Sequence, residues 1–164
     1  MPIGVVIDTN IFVHATNEEI YCNAYCINLL THLIESDEDY INVDVDFDFT
    51  DESQNRSPLG EEYWEHIPAG SIGETMILQA IQDERIEFLP RKPHYHIVKK
   101  IGLYRKPTMK KSDRHFVGIA YQTLDRILIS EDFDDFPQKR RNEIEHDLEV
   151  RIIQAYQIFQ PPPE

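Results

Sequence analysis

Residues 5–15 read VVIDTNIFVHA. An apolar run stops at Asp8, turns through Thr9 and Asn10, and becomes apolar again at once. Ile3 to Ile7 is short, continuous and rich in β-branched side chains, the pattern of a strand buried on both faces in a parallel sheet. A carboxylate at the carboxyl end of such a strand lies where open α/β sheets bind their ligands. Its ordinary reading is a strand-to-helix turn residue or an N-cap.

The rest of the chain supplies the sheet that this strand needs. A helix is expected from about residue 17, with Thr16 and Glu19 at capping-box spacing and Ile20, Ala24, Ile27, Leu30 and Ile34 as its apolar stripe. Ser57-Pro58 offers an N-cap followed by proline at the first helical position, and a further helix is expected over about 71–83. RIEFL (85–89) reads as a short strand. Ser112-Asp113 opens a helix, DRHFVGIAYQTL, that feeds a second continuous apolar strand, RILIS (126–130). PQKRRNEIEHDL reads as a charged helix leading to a final strand, EVRIIQAYQIF. Strands alternating with helices predict an α/β fold, a three-layer α/β/α sandwich around a central, largely parallel sheet, in a single domain spanning 1–164.

The stretch YINVDVDFDFTDE alternates Val43, Val45, Phe47 and Phe49 with Asp44, Asp46 and Asp48, the period of a half-exposed edge strand with a charged outer face. Its D-x-D-x-D spacing fails as a calcium loop. Counting from Asp44, the sixth position is Phe49 where glycine is required, and the twelfth is Asn55 where glutamate is.

Composition narrows the class. Of 164 residues 41% are apolar, enough for a real core. The longest apolar runs are far too short to span a membrane, and no segment reads as a signal peptide, so a cytoplasmic protein is expected. Cys22 and Cys26 share one helix face, where small apolar packing is favoured over a zinc pair that has no second ligand pair nearby. The net charge of −14 argues against non-specific nucleic-acid binding by the whole surface. Residues 91–114, however, hold nine basic side chains and one acidic one; the 7 basic and 29 acidic residues elsewhere leave an excess of 22 negative charges. A basic strip on an acidic body suits an enzyme acting on a polyanion, although a charge run by itself is more often a solvated helix face.

Asp132 follows the RILIS strand and Asp113 opens the helix before it, so both can reach the sheet end that carries Asp8. Carboxylates gathered there repel one another, and desolvation raises the cost of keeping them ionised. A divalent cation relieves both, and an oxygen-rich donor set suits magnesium or manganese. There is no G-x-x-x-x-G-K, no G-x-G-x-x-G and no G-x-S-x-G. His94 and His96 form an H-x-H pair that is more often exposed than metal-bound.

VVIDTNIFVHA resembles the opening of a PIN domain, where a strand ends in D-T/S-N before an apolar helix start. KKSDRHFVGIAYQTLDRILISEDFDDF resembles its second half, where D-x-x-F/hydrophobic-x-x-A begins a helix, a strand follows, and T/S-x-D closes it. Asp8, Asp113 and Asp132 fall on the family's acidic positions, Ser130 on its Thr/Ser, and Asn10 on the asparagine that helps orient the first aspartate. For the fourth acid the resemblance favours Glu62, with Glu61, Glu65 and Glu74 as competitors. The long gap from Asp8 to Glu62 makes the acidic segment around 44–56 an insertion. The resemblance implies a metal-dependent ribonuclease, with Mg²⁺ or Mn²⁺ held by Asp8, Asp113, Asp132 and Glu62. Asp134 or Asp135 would assist, and Lys99, Lys100, Lys110, Lys111 and Arg114 would contact RNA phosphates. Toxin-type members of the family also imply an antitoxin partner and a homodimer. Two other classes compete: a PIN-like RNA- or protein-binding module without catalysis, and a magnesium-dependent phosphatase on a small phosphate ester.

Overall fold

The computed structural model describes residues 1–90 and 110–159. Five parallel strands, β1 (Gly4–Ile7), β2 (Tyr40–Asp44), β3 (Ile86–Leu89), β4 (Ile127–Ile129) and β5 (Arg151–Ile153), form one sheet in the order β3-β2-β1-β4-β5. Among the described residues six helices flank it: α1 (Thr9–His14), α2 (Asn23–Glu35), α3 (Pro58–His66), α4 (Ile72–Gln82), α5 (Lys111–Gln122) and α6 (Gln138–Leu148). The result is the expected three-layer α/β/α sandwich. No helix among the described residues is long and apolar enough to cross a membrane.

β1 and β4 are apolar throughout because helices cover both faces of the sheet. Val5, Val6 and Ile7 of β1 and Leu128 and Ile129 of β4 are at most 2% exposed, as continuous apolar runs in parallel sheets require. Ser57 accepts a hydrogen bond from the Gly60 N–H at 2.8 Å and Pro58 takes the first position of α3, while Ser71 caps α4.

Three sequence expectations are corrected. The helix expected from about residue 17 begins only at Asn23, as α2, after a turn that follows the short α1 (Thr9–His14). The Thr16 hydroxyl donates back to the Val13 carbonyl instead of capping, Asn17 accepts the Glu19 N–H, and Asn23 donates to the His14 carbonyl. The aspartate-rich strand ends at Asp44 and is no edge, since β2 lies between β1 and β3. Beyond it the chain curls into turns: Asp48 accepts the Thr50 and Asp51 N–H groups, and Asp51 accepts that of Ser53. Phe47 and Phe49 bury themselves over α3, with Phe49 4.6 Å from Trp64 between ring centres. The final strand is three residues long and gives way to a 3-10 turn over Ala155–Phe159.

Cys22 and Cys26 are buried, unbridged thiols, in keeping with packing. His94, His96, Lys99 and Lys100 lie outside the described residues.

Candidate metal centre

The sheet order reverses direction at β1, with β2 on one side and β4 on the other. In parallel sheets such a switch point opens a crevice beyond the carboxyl ends of the strands. Asp8 leaves β1 and Ser130 leaves β4 in neighbouring register, because Ile7 pairs with Ile129 and the Asp8 N–H donates to the Ile129 carbonyl at 2.9 Å. Ser130 Oγ donates to Asp8 Oδ2 at 2.7 Å and accepts from the Asp132 N–H at 3.1 Å. One hydroxyl thus ties the first aspartate to the loop that carries the third. Asn10 Oδ1 accepts the Glu131 N–H at 3.3 Å and holds the same loop from the α1 side.

A cavity of about 330 Å³ opens at this point, and Asp8, Glu62, Asp113, Asp132 and Asp135 all line it. Asp8 occupies the N-cap position of α1 but its carboxylate makes no capping hydrogen bond. Asp113 lies in the first turn of α5, only 5% exposed, and its Oδ2 has no hydrogen-bond partner among the described residues. Asp132 is divided between two tasks. Its Oδ1 accepts the N–H groups of Asp134 and Asp135, both at 3.0 Å, as a turn aspartate does, while its side chain still borders the cavity.

Of the competing glutamates, Glu62 alone lines the cavity; Glu61 and Glu65 are exposed, and Glu74 accepts from the Gly70 N–H at the start of α4. The neighbouring Tyr63 seats α3. It is fully buried, donates to the Ile7 carbonyl immediately before Asp8, and meets Phe12 edge-on at 5.0 Å and Phe116 at 6.4 Å. Asn55 of the acidic segment accepts the Asp48 N–H and donates to the Ser57 carbonyl, and a Cβ on Gly60 would collide with its side chain. The segment therefore braces the first turn of α3.

Electrostatics mark the cavity strongly. Burial pushes the Asp8 carboxyl up to about 6, against the Ser130 hydrogen bond and with help from the Asp132 charge. Burial, then the charges of Asp8 and Asp135, push Asp113 up to about 8. Burial raises Asp132 and Glu62 as well. Asp135 moves the other way: burial opposes its charge, but hydrogen bonds from Lys110, Asp132 and Asp113 together hold it below the usual carboxylate range.

Of Asp134 and Asp135, the two expected to assist, Asp134 is exposed and gives its N–H to the turn, whereas Asp135 lines the cavity. Of the expected RNA contacts, Lys110 is at the cavity rim, with Nζ 3.2 Å from Asp135 Oδ2. Arg114 is half-buried and does not line the cavity. Lys111 opens α5, and its side chain lies outside the described residues. His14 and His66, not singled out from sequence, also line the cavity. Glu62, Glu65 and His66 are the trio among the described residues whose ligand atoms lie within 4.8 Å of one another, which follows from their i, i+3, i+4 spacing on α3.

No family model matches the chain, and no curated protein matches it in sequence.

Proposed function

We propose that this chain is a PIN-like, metal-dependent nuclease that hydrolyses RNA phosphodiester bonds. The observation that carries this reading is the convergence of Asp8, Asp113, Asp132 and Glu62 on one cavity at the β1/β4 switch point. The donor set fits magnesium or manganese, being mainly carboxylate oxygen. Two buried oxygens at the cavity, Asp113 Oδ2 and Thr9 Oγ1, have no hydrogen-bond partner among the described residues, and a hard cation or its water would satisfy them.

Asp8, Asp113 and Asp132 would hold the ion, with Glu62 facing them from α3. A bound divalent cation lowers the pKa of its water towards neutrality and stabilises charge on a phosphoryl oxygen. Ser130 fixes the Asp8 carboxylate, and Asn10 fixes the backbone beside Asp132. Lys110 is exposed at the rim, where it can exchange its contact with Asp135 for a phosphate. No side chain need act as a nucleophile.

The test is incubation of end-labelled single-stranded RNA and DNA with wild type and Asp8→Asn in manganese, magnesium or EDTA. RNA cleavage that needs the metal and disappears in the variant supports the reading. Hydrolysis of p-nitrophenyl phosphate without polymer cleavage makes the protein a phosphatase. Retention of RNA without cleavage by folded, metal-loaded wild type makes it a binding module.

A further inference from the structure

Arg141 is the buried charge of α6. It is 3% exposed, and its three hydrogen bonds go to backbone carbonyls of one loop: Nε to Phe136 at 2.6 Å, Nη1 to Ser130 at 3.0 Å and Nη2 to Asp132 at 3.1 Å. Its neighbour Arg140 is half-buried and donates to the Asp135 carbonyl of the same loop at 2.6 Å. The Arg141 guanidinium carbon also lies 4.0 Å from the centre of the Phe133 ring. Burying a cation is costly unless its donors are used. Here they are used on the segment that presents Asp132.

Ser130 and Phe136 are the two ends of that segment, and between them the turn closes by the Phe136 N–H to the Asp132 carbonyl and by two N–H groups to Asp132 Oδ1. These bonds leave the Ser130 and Phe136 carbonyls for an outside donor. A guanidinium, planar with forked donors, reaches all three carbonyls at once; a lysine ammonium on a flexible stem reaches them less well. The charge of Arg141 also acts on Glu131, Asp8 and Asp132, countering part of the repulsion among the acids.

We infer that Arg141 is a positioning residue for the metal centre: by gathering the carbonyls of Ser130, Asp132 and Phe136 it sets the Asp132 carboxylate towards Asp8 and Asp113 before any metal binds. The inference rests on the reading of the carboxylates as a metal site, but not on the identity of the substrate. Arg141 touches neither metal nor RNA in this account and acts only through the loop.

The experiment compares wild type, Arg141→Lys and Arg141→Gln. Free Mn²⁺ is followed by electron paramagnetic resonance to obtain dissociation constants, alongside RNA cleavage and melting in EDTA. Loss of an outer partner of a metal ligand weakens metal binding roughly 10–100-fold. That loss is expected in both variants, with kcat recovered at saturating Mn²⁺ and KM for RNA unchanged. Variants that melt lower but bind Mn²⁺ as tightly as wild type would show a purely structural role and overturn the inference. If both variants fail to fold, hydrogen exchange of wild type decides. The amides of Asp134, Asp135 and Phe136 are expected to be equally protected in EDTA and in Mg²⁺, whereas protection that arises only with metal overturns it. Wild type that binds Mn²⁺ but cuts no RNA sinks the nuclease reading and leaves Arg141 to be judged on the dissociation constants. Wild type that binds no Mn²⁺ overturns both.

Discussion

Replacing Asp8 by asparagine should make the metal-free protein more stable while abolishing its metal site. Asp8 is 4% exposed and its carboxyl is pushed from 3.8 up to about 6, chiefly by burial. A shift of about two units corresponds to about 3 kcal/mol of penalty for holding the charge in the folded state. Between these two pH values the folded chain holds the proton more tightly than the unfolded chain, so stability falls as pH rises through the window and levels off above it. Asparagine removes that penalty but places an amide N–H₂ where carboxylate oxygens sat, giving back about 1 kcal/mol. A net gain of about 2 kcal/mol remains at pH 8, or a rise of about 4–8 °C in melting temperature for a chain of this size. Calorimetry in EDTA at pH 5 and pH 8 measures it, and at pH 5, where folded wild type is largely protonated but the unfolded chain is already ionised, the gain should shrink to about 0.6 kcal/mol. Millimolar Mn²⁺ at pH 8 should then raise wild type alone, by about 2.7 kcal/mol once the free ion reaches about a hundred times its dissociation constant. A variant that melts below wild type at pH 8 in EDTA, or a difference that ignores pH, would show Asp8 to be a structural residue and refute the reasoning.

Other outcomes follow from the same geometry. Because Asp113 is held protonated up to about pH 8, Mn²⁺ binding at pH 7 should release protons and tighten from pH 6 to pH 8, which calorimetric titration in buffers of different ionisation enthalpy will show; binding without proton release contradicts it. Glu62→Gln should weaken Mn²⁺ binding while Glu61→Gln and Glu74→Gln leave it unchanged, since Glu62 is the one of these that borders the cavity. Tyr63→Phe leaves the Ile7 carbonyl without its buried donor and should cost about 1–3 kcal/mol in denaturant unfolding.

The parts of this fold that were legible in the sequence are those fixed locally. Ile3 to Ile7 and RILIS could be read as buried parallel strands because no polar residue interrupts them, and Ser57-Pro58 and Ser71 because capping and proline geometry act within one turn. What failed depended on partners distant in sequence. Nothing in NEEIYC announces that α2 waits until Asn23, because that turn is tied down by Asn23 reaching back to His14. Asp44 was read as a surface charge from the alternation around it, yet it ends an inner strand between β1 and β3 and is 1% exposed. The site divided the same way. Asp8, Asp113 and Asp132 were marked by their places at strand and helix ends, and the structure brings all three to one cavity. The choice between Asp134 and Asp135, left open in the sequence, depended on which of them the Asp132 turn brings to the cavity. Arg141 looked like one more charge in KRRNEIEHD, because only the folded loop supplies the carbonyls that bury it.

The central claim is that these carboxylates hold a divalent cation, and the most direct measurement is a crystal soaked in Mn²⁺ and examined by anomalous scattering. The account predicts a peak in the cavity within bonding distance of Asp8, Asp113 and Asp132, absent from crystals of Asp8→Asn. A cavity without a peak, or a peak held only by Glu62, Glu65 and His66 on α3, would contradict it.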